Sequence, residues 1–265
     1  MSVVIGDSLV LSQAAIMSPN QARLCWRTFV DAGSVSATSQ SADNPITNVA
    51  NPSTSFVWQA ADTAQQDIDI VADTQVDYIG IARHNLDQGA EIRVQFLIGA
   101  SYVTIFDWQT PPNSQVILYF INNAEPEEIR ISIRNNSAPP IIGVIYAGVS
   151  TMLQRRIYVG HTPIVYGRDV QTVGAYSESG QYLGELIRKE GRSTQVALQN
   201  LTPDWYREEL DPFIAQRPRR PAFWAWRPGA YSAEVGYVWL TGSPRMRNQR
   251  PNGMVEIAMD FEGIA

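Results

Sequence analysis

Few residues of this 265-residue chain could carry chemistry, and its two histidines stand far apart, at positions 84 and 161. His84 lies in "YIGIARHNLDQGAEIRV" (78–94), between Arg83 and Asn85 and ahead of Asp87. Imidazole, guanidinium, amide and carboxylate in one short run suit either proton transfer or the grip of a polar ligand. Catalysis needs more, a nucleophile or metal held against an orienting partner. The chain has no Gly-x-Ser-x-Gly elbow, His-Glu-x-x-His helix or EF-hand loop. "GRDVQTVG" and "SGQYLGELIRKEG" contain glycines but lack the spacing of a phosphate loop. The single cysteine, Cys25 in "ARLCWRTF", excludes an internal disulfide and a multi-cysteine metal site, and its apolar neighbours make it a core residue. Asp67, Asp69, Asp73 and Asp77 are expected on solvated faces and ends of strands, with a calcium site as the alternative. No catalytic residue, metal ligand or cofactor is assigned, and the chain is read as a non-enzyme. A glycoside hydrolase would need two carboxylates meeting in space.

The elements that must position these residues are strands. "EIRISIR" sets Ile129, Ile131 and Ile133 on one face and Arg130, Ser132 and Arg134 on the other. "MVEIAMDFEGI", "EIRVQF" and "DIDIV" alternate in the same way, the pattern of strands with one solvated face. "SQVILYFIN" and "PPIIGVIYAG" are uniformly apolar and suit central strands covered on both sides. Within 78–94, "DYIGIA" and "AEIRVQF" read as strands and "RHNLDQG" as a polar connection, with Asn85, Asp87 and Gly89 as turn formers. His84 is then a residue at a loop rim, structural or in contact with a ligand. One helix is predicted near 203–215, with Thr202 as N-cap and Pro203 at N1. Its apolar stripe is Tyr206, Leu210 and Phe213, and Pro212 should end or kink it.

The charge is uneven. Residues 1–150 carry 14 acids against 6 bases, −8, and residues 151–265 carry 12 against 14, +2. This speaks against nucleic-acid binding, which needs clustered cations. Arginine outnumbers lysine 19 to 1, reflecting either base composition or a surface buried against copies of itself. No window approaches the ~18 apolar residues of a membrane helix, and "MSVVIGDSLVLSQAAIMSPN" does not read as a secretion signal. The expected architecture is mainly β. It comprises N-terminal first strands at 1–34, a jelly-roll β-sandwich at 35–150, and a β-barrel or sandwich module with one short helix at 151–265.

Residues 35–148 resemble the discoidin, or F5/8 type C, galactose-binding-like sandwich. The matching text runs from "VSATSQSADNPITNVANPSTSFVWQ", with Trp58 in the place of the family's tryptophan, to "EIRISIRNNSAPPIIGVIYAG" as its closing strand pair. Extracellular members usually bridge the ends of the domain with a disulfide, which this chain cannot form. "RPRRPAFWAWRPGAYSAEVGYVWLTGSPRMRNQRPNGMVEIAMDFEGIA" is similar to C-terminal segments of tail and baseplate proteins of tailed bacteriophages. That resemblance implies a virion component made in the host cytoplasm, assembling as a hexagonal or trigonal ring with copies of itself and other tail proteins. Arg219, Arg220, Trp224, Trp226, Arg227, Tyr231 and Trp239 would supply the aromatic and Arg contacts of that interface. The final strand would offer an unpaired edge to a neighbouring subunit. The alternative is a module that recognises a cell-surface glycan through Arg83, His84 and Asn85 at the rim. Tyr102 or Trp108 would then supply the stacking ring unless both belong to the core.

Overall fold

The computed structural model describes residues 3–5, 20–72, 74–86, 89–111, 115–157, 160–216, 218–249 and 253–265. Its strands are β1 (Val3–Ile5), β2 (Arg23–Cys25), β3 (Val35–Ala37), β4 (Trp58–Gln59), β5 (Gln66–Val71), β6 (Val76–His84), β7 (Glu91–Ile98), β8 (Ser101–Gln109) and β9 (Val116–Ala124). They continue as β10 (Glu128–Arg134), β11 (Ile141–Gly148), β12 (Thr151–Met152), β13 (Arg168–Tyr176), β14 (Tyr182–Leu201), β15 (Ala222–Ala225), β16 (Val235–Thr241), β17 (Arg247–Asn248) and β18 (Val255–Ile264). Three open sheets result, in the orders β1-β9-β6-β11-β4, β3-β5-β10-β7-β8 and β12-β2-β15-β16-β18-β14-β13, with β17 on β18. The fold is mainly β, a jelly-roll sandwich with a third sheet that takes β2 from before the sandwich and its other strands from after it, and none of the three closes into a barrel.

The hydrophobic patterns explain how these layers stack. The alternating apolar residues of β5, β7 and β10 form one wall of a core whose other wall is Ile79, Ile81, Ile117, Tyr119, Ile142 and Ile145 of the first sheet. The opposite side chains of those same strands, including Tyr78, Leu118, Val144 and Tyr146, meet Cys25, Phe223, Ala225 and Tyr237 of the third sheet. The first sheet is thus covered on both faces, which is why β9 and β11 are apolar without alternation. Close approach of these two sheets fixes Gly80, since a Cβ there would lie 2.6 Å from the Phe223 ring.

The third sheet's other face packs on Tyr206, Leu210 and Phe213, the predicted helical stripe. That helix has three parts: α1 (Pro203–Trp205), a π turn (Tyr206–Leu210) and α2 (Asp211–Ala215). Pro212 cannot donate a hydrogen bond, and the backbone accommodates it by widening, so that the Asp211 N–H reaches the Tyr206 carbonyl. Thr202 does not cap with its side chain. Its hydroxyl instead accepts from Gln154 Nε2 at 2.8 Å, and its N–H donates to Gln154 Oε1 at 2.8 Å.

Two expectations are corrected here. The final strand is not the edge of its sheet: among the described residues β18 pairs β14 on one side and, over parts of its length, β16 and β17 on the other. Asp77 is not solvated but buried, where its carboxylate accepts from the Ser150 N–H at 2.6 Å and the Ser150 hydroxyl at 2.9 Å, with Arg23 at 3.6 Å. Asp73 lies outside the described residues. Cys25 is fully buried, and burial pushes its thiol well above the usual range.

Candidate functional site

The 85–90 connection is not a hairpin turn. It carries the chain from β6 in the first sheet to β7 in the second, so Arg83, His84 and Asn85 stand where the sandwich closes over its end. Arg83 has φ 53, a left-handed conformation uncommon for arginine, and its guanidinium donates to the Thr54 carbonyl. Asn85 is a staple. Its amide donates to the Pro139 carbonyl at 2.9 Å, and its Oδ1 accepts from the Ile141 N–H at 2.7 Å. His84 accepts at Nδ1 from the Leu86 N–H at 3.3 Å, which assigns the proton to Nε2. Nε2 is buried with no partner among the described residues, and desolvation lowers the imidazole to about 4.

Tyr102 is not brought to this rim. It opposes Leu97, at the far end of β7 from Glu91. Neither Tyr102 nor Trp108 belongs to the apolar core. Both lie half-buried on the outer face of the second sheet, separated by six residues of β8, roughly 20 Å at ~3.4 Å per residue. Each aromatic ring meets arginine. The Arg130 guanidinium sits 4.1 Å from the Tyr102 centroid, and those of Arg134 and Arg93 sit 4.0 and 4.5 Å from the Trp108 centroid. Carboxylates hold two of these arginines in place. Arg130 makes a two-point contact with Asp69 at 2.6 and 2.9 Å, and Arg134 Nε donates to Glu91 at 2.7 Å. Asn135, with φ 59, donates to the same Glu91 oxygen at 2.8 Å. The Tyr102 hydroxyl donates to Glu128, and burial together with that bond holds its phenol up at about 12.

The strand registers create this surface. Arg130 opposes Asp69 on β5 and Gln95 on β7, while Arg134 opposes Glu91. Irregularities between Ile92 and Gln95 shift β8 relative to β7, and the Trp108 indole meets guanidiniums from both β7 and β10. At its centre Arg93 Nε and Ser132 Oγ are buried without a hydrogen-bond partner among the described residues. Alternation marks Arg93, Arg130 and Arg134 as outward-facing in sequence, but nothing local to those strands shows that they converge on two rings.

The C-terminal residues named from sequence divide. Trp224 is 1% exposed and stacks on Phe261 in the third sheet's core. Trp226 and Tyr231 stack with centroids 5.5 Å apart, with Arg227 over both and His161 5.1 Å from Trp226. The Trp226 indole donates to Glu234. Arg219 donates to the Gly242 carbonyl, Arg220 is exposed, and Trp239 is 37% exposed on β16. Among the described residues, no group of three or more His, Cys, Asp and Glu side chains is placed to hold a metal ion.

No family model and no curated protein matches the chain. Solved structures resemble part of it. Chitosan-binding module 1, derived from a chitosanase/glucanase of Paenibacillus sp. IK-5, aligns with 46% of this chain and 99% of its own at 10% identity and TM-score 0.42. The family 32 carbohydrate-binding module of C. perfringens NanJ, solved with galactose, aligns with 48% of this chain and 98% of its own at 13% identity and TM-score 0.39. A putative alpha-L-fucosidase from Bacteroides thetaiotaomicron is similar over 43% of this chain at 15% identity and TM-score 0.37, and the alignment spans only 26% of that enzyme.

Proposed function

We propose that this protein is a non-catalytic carbohydrate-binding module whose binding surface is the outer face of the second sheet. One observation carries the reading: Tyr102 and Trp108 lie on the sheet surface, flanked by guanidiniums, carboxylates and an amide instead of by apolar core. Sugar rings present an apolar C–H face and a rim of hydroxyls, and aromatic rings stacked with guanidiniums among paired donors and acceptors offer both kinds of contact. Arg130 and Arg134 are already neutralised by Asp69 and Glu91, which favours an uncharged polyhydroxylated ligand over a polyanion. In this reading Arg83, His84 and Asn85 shape the end of the sandwich, and the sugar contacts come from the sheet.

The test is a glycan array followed by calorimetry on hits. Trp108→Ala should weaken binding by about 30-fold, corresponding to ~2 kcal/mol for a contact at the centre of an interface. No hit across bacterial and host glycans, or undiminished affinity in both Trp108→Ala and Tyr102→Ala, rejects the proposal. The assembly reading implied by the resemblance of residues 217–265 draws on a different surface.

A further inference from the structure

Half of β14 leaves the body of the protein. Its residues Arg192–Leu201 pair β18, but among the described residues Tyr182–Glu190 pair only β13, so a two-stranded ribbon continues past the third sheet. The ribbon turns at Ser177–Gly180, where the Gly180 N–H bonds the Ser177 carbonyl at 2.9 Å and Gly180 adopts φ 80. A two-stranded ribbon on its own is marginally stable in water and normally keeps its surface polar. This one does not. Val173, Tyr176, Tyr182, Leu183, Leu186 and Ile187 are each between 55% and 72% exposed. By alternation Val173 and Leu186, which pair, take one face and Ile187 and Tyr176 the other, and the register shift between Ala175 and Tyr176 sets Tyr182, the partner of Tyr176, on that second face. Both faces are therefore apolar, and the outer edge of β13 is unpaired among the described residues.

We infer that this ribbon is a self-association arm, covered in solution by the ribbon of a second copy of the chain lying antiparallel to it. Area is the first argument. Six such side chains expose on the order of 600 Å² of apolar surface over the two faces, the upper end for a monomer, so that even one face covered by a second copy removes a few hundred Å² from water. The second is matching. The other exposed large apolar residues among those described, such as Phe56, Met152 and Trp239, are scattered over several elements, so the chain's own surface that can cover the ribbon is another ribbon. Charge supplies the direction. Residues 172–187, toward the tip, hold Glu178 and Glu185 and no base, −2. Residues 168–171 and 188–192, toward the base, hold Arg168, Arg188, Lys189 and Arg192 against Asp169 and Glu190, +2. Antiparallel apposition lays each acidic tip on a basic base.

Sedimentation equilibrium and mass photometry on the full chain test this independently of any glycan. The native protein should dimerise or assemble further. Leu186→Asp, and Leu186→Ser should the aspartate variant fold poorly by circular dichroism, should weaken association on the order of a hundredfold, with Trp108→Ala leaving it unchanged. Glu185→Arg and Arg188→Glu should each weaken it, and the two together should restore it. A native protein that stays monomeric at high micromolar concentration overturns the inference. So does association indifferent to position 186, and failure of the double charge exchange to restore it overturns the antiparallel arrangement.

Discussion

Asp77 offers the sharpest test of how the sandwich is joined to the third sheet. Its carboxylate is buried and takes two hydrogen bonds from Ser150, the residue just before β12, with Arg23 of β2 beside it. Arg23 also donates to the Ser150 hydroxyl at 2.9 Å. Asp77→Ala removes the acceptor but leaves the Ser150 N–H in place, and a buried donor left unsatisfied costs about 1–3 kcal/mol. Arg23 keeps the Ser150 hydroxyl as an acceptor and is partly exposed, so the expected loss stays within that range, ~2 kcal/mol. Asp77→Asn retains an acceptor for the Ser150 N–H and should cost about 1 kcal/mol. The pH dependence carries its own sign. Burial raises the Asp77 carboxyl above its ordinary value, more than Ser150 and Arg23 lower it. The folded state therefore holds the proton more tightly than the unfolded chain. This contribution is fully present below the unfolded value of 3.8 and is lost as pH rises through the raised folded value. Urea melts at neutral and acid pH measure both effects. The native protein should gain on Asp77→Asn as pH falls. A loss below about 0.5 kcal/mol in Asp77→Ala, or a native advantage that shrinks in acid, refutes this account.

His84 should behave in the opposite way, because desolvation lowers its folded value from 6.5 to about 4: stability is complete above 6.5 and is lost as pH falls toward 4. Acid melts of His84→Gln should therefore show a flatter decline than the native protein over that window, by up to ~3 kcal/mol. Gly80→Ala forces a methyl against the Phe223 ring and should destabilise by about 1–3 kcal/mol in thermal or urea melts. Asn85→Ala removes the amide that ties the 85–90 connection to residues 139–141 and should cost ~2 kcal/mol, accompanied by faster amide exchange at Ile141. A small effect at position 85 would show that the staple is not needed to close the sandwich.

Much of this architecture is legible in the chain itself. The alternation of β5, β7, β10 and β18 declares one buried face, and the uniform apolarity of β9 and β11 declares two, because side-chain direction along a strand has period 2 whatever its partners are. The helix, its buried stripe and the core position of Cys25 follow from equally local rules. What the chain could not reveal is which strands become neighbours. Asp77 reads as one carboxylate in an acidic run until Ser150, 73 residues later, is folded against it. The open edge expected of the last strand disappears because β14 is long enough to pair it, and β14 in turn outruns the sheet to leave an apolar ribbon in solvent. Trp108 meets Arg93 and Arg134 only through registers spanning three strands. Local sequence determines which way a side chain points. Only long-range pairing determines what it points at, because register is chosen by the packing of the whole sheet.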